Sequence, residues 1–333
     1  MRGFTYARPG STTEAVELMT QASGRSARFF AGGTTLVDLM KLDVEVPAHL
    51  IDITGLSDLA GYDVSGPREM VFGALARMSD VADDPIVKSR YPALSESLWR
   101  AASQQLRNMA TLGGNLLQRT RCGYFRDSQY PCNKRTPGSG CSAIEGVNRG
   151  HAILGVSDAC IAVYPGDFAV ALAAFDAVVD VVGSKGTRSI PLLELHLEPG
   201  STPHLETSLA SDELITHIRV PLTPAGRAST YQKIRDRESY AFALTSAAVA
   251  LELRNGKVLD VRIALGGVAT KPWRARKAEE SLVGQSLTEA TARRAGELAF
   301  TGAHTTPQNA FKVPLGIQTV VESLMIAQQR ALP

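Results

Sequence analysis

The four cysteines of this 333-residue chain all lie in one segment. They are Cys122, Cys132, Cys141 and Cys160, and the rest of the sequence contains none. The segment, residues 111–167, is rich in glycine, proline and arginine and lacks the regular hydrophobic spacing of a long helix or strand. Thiolates are preferred ligands of zinc and of iron–sulfur clusters, and a loop can bring four of them together. The sequence therefore predicts a four-thiolate metal site on a long loop.

The spacing of the cysteines bears on which metal they would hold. Zinc sites usually contain closely spaced C-x2-4-C pairs, whereas this segment reads C-x9-C, C-x8-C and C-x18-C by subtraction of the residue numbers. Zinc is therefore the less favoured metal. Two alternatives without a metal stay open, because free cysteines are often buried as small apolar residues and disulfides are common in exported proteins.

The overall composition is typical of a globular enzyme. Hydrophobic residues make up 44% and charged residues 20% of the chain, and 35 Lys and Arg balance 33 Asp and Glu. This charge balance does not favour a nucleic-acid partner or a polybasic membrane contact. The sequence contains no run of 18 apolar residues, so it predicts no transmembrane helix. The N-terminus lacks the pattern of a signal peptide. We expect two or three domains from the length.

Two glycine pairs stand at the junctions between predicted elements. Residues 31–41 (AGGTTLVDLMK) read as the end of a strand, a glycine pair and a helix. Backbone N–H groups at such a junction suit a diphosphate, and glycine lets it approach the backbone. The stretch is neither G-x-G-x-x-G nor a Walker loop, so a plain left-handed turn explains it equally well. Residues 111–115 (TLGGN) contain a second pair, and the two loops together could hold one extended ligand.

The last third of the chain has a different pattern. Residues 221–229 (PLTPAGRAS) are the best candidate for a linker. Alternating strands around Asn255–Gly256 then predict an antiparallel meander, followed by helices. The six histidines form no close ligand pair, and no G-x-S-x-G motif is present. We therefore expect the chemistry to come from bound cofactors rather than from a catalytic triad.

Three stretches of the sequence resemble a known family. Residues 4–9 (FTYARP), 30–41 (FAGGTTLVDLMK) and 107–115 (RNMATLGGN) resemble the FAD-binding subunit of molybdenum hydroxylases, the group of xanthine dehydrogenases, CO dehydrogenases and aldehyde oxidoreductases. The resemblance implies an α+β fold. A two-part FAD-binding domain of the vanillyl-alcohol-oxidase/CO-dehydrogenase flavoprotein type, residues 1–224, would be divided at residue 56 into 1–56 and 57–224. A C-terminal domain with an antiparallel sheet and helices would follow at residues 225–333.

The resemblance also implies a role for individual residues in FAD binding. The loop around the FAD diphosphate would contain Phe29, Phe30, Ala31, Gly32, Gly33, Thr34, Thr35, Leu36 and Val37. Thr111, Gly114 and Asn115 would contact the flavin and its ribityl chain. Asp167 would accept hydrogen bonds from ribityl hydroxyls, and Lys233 would lie near the isoalloxazine, where a cation stabilises reduced anionic flavin.

The cysteine segment is similar to one found in a subset of the family. It resembles the insertion in the FAD subunits of bacterial periplasmic aldehyde oxidoreductases, which binds a 4Fe–4S cluster. The resemblance implies that Cys122, Cys132, Cys141 and Cys160 ligate such a cluster in a loop of residues 119–163. One stretch departs from the family, because Tyr164 and Gly166 replace the His and Ser of its H-P-S-D turn. Only the role of Asp167 is carried over from that turn.

These resemblances predict an FAD and 4Fe–4S electron-transfer subunit of a molybdenum-dependent aldehyde oxidoreductase. A large subunit with the molybdenum cofactor and a small subunit with 2Fe–2S clusters would complete a heterotrimer, and the flavin would pass electrons to an external acceptor. We expect a periplasmic location through a partner's twin-arginine signal, with the cytoplasm as the alternative. The alternatives for function are the flavoprotein of a xanthine, CO or aromatic-CoA oxidoreductase, and a non-catalytic zinc- or disulfide-bound module.

Overall fold

The computed structural model of the chain describes residues 1–22 and 27–332. Residues 23–26 and 333, which belong to the predicted first subdomain and to the end of the predicted C-terminal domain, lie outside the described residues. Within the described part of the chain, the strands form three separate sheets. The predicted α+β class is confirmed. None of the helices in that part combines the length and the hydropathy needed to cross a membrane.

The first layer is a small parallel sheet in the order β1-β3-β2. Its strands are β1 (Thr5–Ala7), β2 (Ala27–Phe30) and β3 (His49–Asp52). The helices of this layer are α1 (Thr12–Gln21) and α2 (Leu36–Lys41). Helix α1 begins where Ser11 Oγ accepts from the backbone N–H of Glu14 at 3.1 Å, while Glu14 Oε2 accepts from Gly10 N–H at 2.6 Å. These reciprocal bonds satisfy donors at the helix start that have no partner within the helix.

The second layer is an antiparallel sheet in the order β4-β5-β8-β6-β7. Its strands are β4 (Tyr62–Asp63), β5 (Glu69–Gly73), β6 (Val178–Gly183), β7 (Gly186–Pro191) and β8 (Leu214–Pro221). The helices of this layer are α3 (Met78–Asp83), α4 (Pro85–Arg90), α5 (Pro92–Trp99), α6 (Gln104–Met109), α7 (Leu112–Leu116), α8 (Gly123–Arg126), α9 (Ser142–Glu145), α10 (Phe168–Ala174) and α11 (Leu192–Leu195). Sequence neighbours β5 and β6 are separated by most of these helices and by the cysteine segment.

The third layer is the expected antiparallel sheet, in the order β12-β11-β10-β9. Its strands are β9 (Ser229–Ile234), β10 (Thr245–Arg254), β11 (Lys257–Gly266) and β12 (Trp273–Arg274). Asn255 and Gly256, with φ of 52° and 74°, form the predicted turn between β10 and β11. The helices α12 (Arg276–Leu282), α13 (Glu289–Ala299) and α14 (Lys312–Ala331) follow. One face of this sheet is covered by α14, which packs against β10.

Helix α10 joins the second and third layers into one core. All seven of its residues are buried. They pack with side chains of the third sheet, among them Tyr231, Ala248 and Ala264. Burial on every side explains why the helix is apolar all round instead of amphipathic. The second and third layers therefore share one apolar core.

The predicted linker is a buried connection rather than an exposed spacer. Residues Pro224–Gly226 form a short 3-10 helix, and Ala225 is completely buried. A Cβ on Gly226 would lie 2.7 Å from the Tyr91 ring, so this stretch packs closely on the residue before α5. The hydroxyl of Tyr91 donates to Pro221 O at 2.9 Å and fixes the start of the connection. The stretch therefore packs against the residue before α5 instead of extending into solvent.

The cysteine segment is irregular apart from α7, α8 and α9 and lies against the C-terminal domain. The backbone N–H groups of Ile153 and Leu154 donate to Val268 O at 2.8 and 3.0 Å. In turn, His304 N–H donates to Ile153 O at 2.7 Å. Backbone hydrogen bonds thus hold the end of the segment to the turn after β11, which makes it a bridge between the two domains.

Candidate functional site

The two glycine loops, about 80 residues apart in the sequence, lie side by side. A Cβ on Gly32 would collide with the carbonyl oxygen of Met109 and lie 3.1 Å from the Cα of Ala110. Glycine is therefore required at position 32 because the backbone of one loop passes directly over the other. The structure thus brings Gly32 of the first loop against Met109 and Ala110, which directly precede Thr111 of the second loop.

Gly33 has a different reason for being glycine. Its φ of 70° lies in the left-handed region, and a Cβ there would lie 2.8 Å from the Phe30 ring and 3.3 Å from Val37. The residue makes the turn that leads from β2 into α2, and Val37 N–H donates to Gly33 O at 3.0 Å. The alternative of a left-handed turn is therefore correct for Gly33, and it is compatible with ligand binding by the same loop.

The second loop ends in an amide group with an unused acceptor. Thr111 caps α7 by accepting from Gly114 N–H at 3.3 Å. On this helix, Asn115 Nδ2 lies 3.5 Å from the sulfur of Met78, and within the described structure its Oδ1 is buried without a hydrogen-bond partner. Buried acceptors normally have a donor. A ligand hydroxyl would supply one, so this loop fits the ribityl chain that the resemblance assigns to it.

Asp167 and Lys233 form a buried ion pair. Lys233 Nζ lies 2.7 Å from Asp167 Oδ2 and donates to Arg100 O at 3.1 Å. Tyr231 donates its hydroxyl to Asp167 Oδ1 at 2.6 Å and lies 2.9 Å from Ser246 Oγ. Burial, and then the charge of Asp167, raise the pKa of Tyr231 well above its usual value. The hydrogen bonds that join Tyr231 to Asp167 and to Ser246 were not predictable, because nothing in the local sequence pattern indicates them.

All four cysteines are free thiols that lie in one region. Cys132 and Cys141 pair through their backbones as an isolated antiparallel bridge. Burial raises the pKa of the Cys122 thiol to about 11, and the nearby thiols of Cys132 and Cys160 add to this rise. Burial also raises the pKa of Cys160, with smaller contributions from Cys141 and Cys132. The cysteines therefore influence one another electrostatically although up to 38 residues separate them, from Cys122 to Cys160.

N–H groups point at two of the sulfur atoms. Ala162 N–H donates to Cys160 Sγ at 3.4 Å, and His151 Nε2 lies 3.2 Å from Cys122 Sγ. Backbone N–H groups at the start of α8 also lower the pKa of Cys122 and oppose part of the effect of burial. Donors of this kind stabilise a sulfur that carries negative charge. Burial, followed by the charge of Lys312, lowers the pKa of His151 to about 4.

The thiols do not form a site for a single metal ion. Among residues 1–22 and 27–332, no three Cys, His, Asp or Glu side chains are arranged to hold one ion. The structure thus gathers the four predicted ligands into one region. Ligation of a 4Fe–4S cluster by these residues stays a prediction.

Ion pairs fasten the cysteine segment to the first layer. Arg119 contacts the carboxylates of both Glu45 and Glu206. Arg126 binds Asp38 on α2 through both terminal nitrogens, at 2.7 and 3.0 Å. Hydrogen bonding from Arg126 holds the pKa of Asp38 below its usual value. The first glycine loop and the cysteine segment are therefore tied together through α2.

Comparisons with known proteins agree with this architecture. Residues 2–223 match the family described as the FAD binding domain in molybdopterin dehydrogenase, and residues 229–312 match the CO dehydrogenase flavoprotein C-terminal domain. The chain is 46% identical over 332 residues to the aldehyde oxidoreductase FAD-binding subunit PaoB of Escherichia coli strain K12, covering 99% of this chain and 100% of that one.

More distant relatives share the whole fold. The carbon monoxide dehydrogenase medium chain of Afipia carboxidovorans is 26% identical over 323 residues, covering 97% of this chain and 94% of that one. A solved carbon monoxide dehydrogenase from Hydrogenophaga pseudoflava superposes with a TM-score of 0.77 at 27% identity, covering 99% of both chains. The chain therefore belongs to the FAD-binding subunits of the molybdenum hydroxylases and is a subunit of an oxidoreductase.

Proposed function

We propose that this chain is the FAD and 4Fe–4S electron-transfer subunit of a molybdenum-dependent aldehyde oxidoreductase. The contact of the two glycine loops at Gly32 carries the proposal, because it brings together the two stretches that resemble FAD-binding loops. The 46% identity to an aldehyde oxidoreductase FAD-binding subunit supports the choice of aldehyde as the substrate class. FAD accepts electron pairs and single electrons, which suits transfer between iron–sulfur centres and an acceptor.

The two loops, Asp167 and Lys233 would each bind a different part of FAD. Backbone N–H groups of residues 30–37 would hold the diphosphate. The turn at Gly33 fixes the shape of this loop. Asn115 Oδ1 would accept from a ribityl hydroxyl. Asp167 has carboxylate lone pairs left after binding Tyr231 and Lys233, so it can accept a further ribityl hydroxyl. The ion pair with Asp167 would hold the charge of Lys233 near the isoalloxazine.

A four-iron cluster fits the cysteine segment better than a single zinc ion. Zinc–sulfur bonds of about 2.3 Å place four thiolates about 4 Å apart, and no such group exists among the described residues. A 4Fe–4S cube lies between its thiolates and separates them further. The backbone N–H groups at the start of α8, near Cys122, and that of Ala162, near Cys160, would offset the charge that a cluster adds. These features favour Cys122, Cys132, Cys141 and Cys160 as ligands of a 4Fe–4S cluster.

The remaining parts of the enzyme would come from partner subunits. A large subunit with the molybdenum cofactor would oxidise aldehyde to carboxylic acid, and a small subunit with 2Fe–2S clusters would relay the electrons to this chain. The medium-chain name of the carbon monoxide dehydrogenase relatives supports such a heterotrimer. We also propose a periplasmic location, reached by export with a partner that carries a twin-arginine signal, and the cytoplasm is the alternative.

Metal and flavin analysis of the anaerobically purified protein tests this proposal. We expect about four iron and four sulfide per FAD, with flavin absorption bands above a broad iron–sulfur shoulder. FAD without iron would refute the cluster and leave the family assignment intact. Zinc in place of iron, or a colourless protein, would refute the electron-transfer function in favour of an interaction module.

A further inference from the structure

His151 lies against one of the four thiols. Its Nε2 is 3.2 Å from Cys122 Sγ, and only 8% of the residue is exposed. The ring of Tyr124, which follows Cys122 on α8, lies 6.4 Å from the imidazole between ring centroids. The imidazole is therefore packed beside the sulfur, away from solvent. None of the functions proposed above uses this residue.

The backbone around His151 is fixed from both sides. Lys312, the completely buried first residue of α14, donates through Nζ to Gly150 O at 3.1 Å and Gly267 O at 2.7 Å. His151 N–H donates to Asn148 O at 2.9 Å. The C-terminal domain thus holds the residue before His151, and a local turn holds His151 itself. A side chain with so little freedom keeps a constant distance to Cys122.

The chemistry of the contact assigns a proton to the nitrogen that faces the sulfur. A cysteine sulfur that ligates a cluster carries no proton, so a hydrogen bond between that sulfur and the imidazole takes its proton from the ring. Within the described residues Nδ1 has no hydrogen-bond partner, whereas Nε2 faces Cys122 Sγ. Placing the proton on Nε2 is therefore the arrangement that makes a hydrogen bond. A donor to cysteine sulfur binds more strongly as the attached cluster becomes more negative, and hydrogen bonds to the sulfurs are among the factors that set cluster potentials.

We propose that His151 donates its Nε2–H to the Cys122 sulfur of the 4Fe–4S cluster and raises the reduction potential of that cluster. This inference rests on the proposed function, in which Cys122 is a cluster ligand. His151 acts through Cys122 and not on the iron itself, so it is a positioning residue. Its donor favours the reduced cluster and thereby makes the cluster a better electron acceptor.

Redox titration of the complete enzyme, monitored by electron paramagnetic resonance, tests the inference. His151→Met removes the donor and keeps an apolar side chain of similar size, whereas His151→Gln keeps an N–H at similar reach. At the wild-type midpoint, we expect the ratio of reduced to oxidised cluster in His151→Met to fall by about tenfold, or about 59 mV for one electron. His151→Gln should recover most of this shift. Equal potentials in wild type and His151→Met would overturn the inference.

His196 provides a matched control. It is also buried, its Nε2 lies 2.9 Å from a backbone oxygen, Leu116 O, and its Nδ1 likewise has no partner in the described structure. His196→Met should leave the cluster potential unchanged, and an equal shift in both Met variants would overturn a specific role for His151. His151→Met could lose its iron. In that case, a His151→Gln variant that keeps its iron and the wild-type potential supports His151 as a hydrogen-bond donor. Loss of iron from both variants overturns the inference. Absence of iron from the wild type would instead refute the proposed cluster.

Discussion

Tyr164 and Gly166, the two departures from the family's H-P-S-D turn, depend on each other sterically. A Cβ on Gly166 would lie 2.5 Å from the Tyr164 hydroxyl and 2.7 Å from its ring. The Tyr164 ring is held there because its hydroxyl donates to Leu116 O at 3.0 Å and its face contacts His196 at 4.4 Å between centroids. The sequence revealed both replacements but not their dependence on each other, because the ring folds back over the turn only in three dimensions.

We expect Gly166→Ser to destabilise the protein by about 1–3 kcal/mol, because the added side chain overpacks against Tyr164. Combining it with Tyr164→His, which restores the family's pair, should cost less than the sum of the two single variants. Denaturant unfolding of the two singles and the double variant measures this coupling. Gly61→Ser is the control, since a Cβ on Gly61 meets nothing within 4 Å. Strictly additive costs would contradict the contact.

Lys312 predicts a pH-dependent stability. Burial lowers its pKa from 10.5 to about 7, so between these values the unfolded chain binds a proton that the folded chain does not. Stability that is present above pH 10.5 is therefore lost as the pH falls towards 7. Lys312→Met lacks this dependence but leaves Gly150 O and Gly267 O without their donor, so it is expected to be less stable.

The stability difference between wild type and Lys312→Met should consequently widen as the pH rises from 7 towards 10. Its full size is up to about 5 kcal/mol, from the difference between the two pKa values. Urea unfolding of the complete chain at several pH values measures it. Parallel pH dependence of the two proteins would show that Lys312 keeps its charge inside the fold.

At the scale of elements, local patterns predicted more than contacts between elements. The strand, glycine pair and helix at residues 27–41 were predicted from local sequence, and the structure has β2 and α2 there. The reason for Gly32 was not predictable, because it is the backbone of Met109 in a distant part of the chain. The same holds for the cysteines, whose common region was predicted and whose neighbours His151 and Ala162 were not.

Asn115 separates FAD binding from folding better than the glycines do. Replacing Gly32 or Gly33 would disturb backbone packing whether or not a ligand binds. Asn115→Leu removes an Oδ1 that has no partner in the described structure, so the stability of the FAD-free protein should change by less than about 1 kcal/mol. FAD affinity should fall by about tenfold for one lost hydrogen bond. Asn108→Leu, at an exposed position on α6, is the control for flavin titration and unfolding.

Cys132→Ser tests the cluster ligands of the cysteine segment. Loss of one thiolate in four should remove most of the iron, whereas FAD should be retained because Cys132 belongs to neither glycine loop, at residues 29–37 and 111–115. Iron and flavin analysis of the purified variant provides the measurement. Ser128→Ala, at an exposed position four residues earlier, should keep both cofactors. An iron content equal to wild type would remove Cys132 from the ligand set.

At the scale of the whole molecule, the antiparallel sheet of the C-terminal domain was predictable and the way in which the domains join was not. Alternation and turns indicated the antiparallel meander of the third layer. Burial of Ala225 and the sharing of α10 between two sheets depend on residues far apart in the sequence. The ion pair of Asp167 and Lys233 was likewise not predictable, since its partners come from different domains.

That ion pair should make the two domains depend on each other for stability. Its side chains are only 6% and 1% exposed, so Lys233→Met leaves an unpaired buried carboxylate and is expected to cost about 3–5 kcal/mol. Adding Asp167→Asn removes the charge as well, and the double variant should be more stable than Lys233→Met by at least about 1 kcal/mol. Lys88→Met, which breaks an exposed pair with Asp83, should cost less than about 1 kcal/mol. Chemical unfolding of the FAD-free chain compares the four proteins, and a double variant less stable than Lys233→Met would show that the charge of Asp167 is satisfied without Lys233.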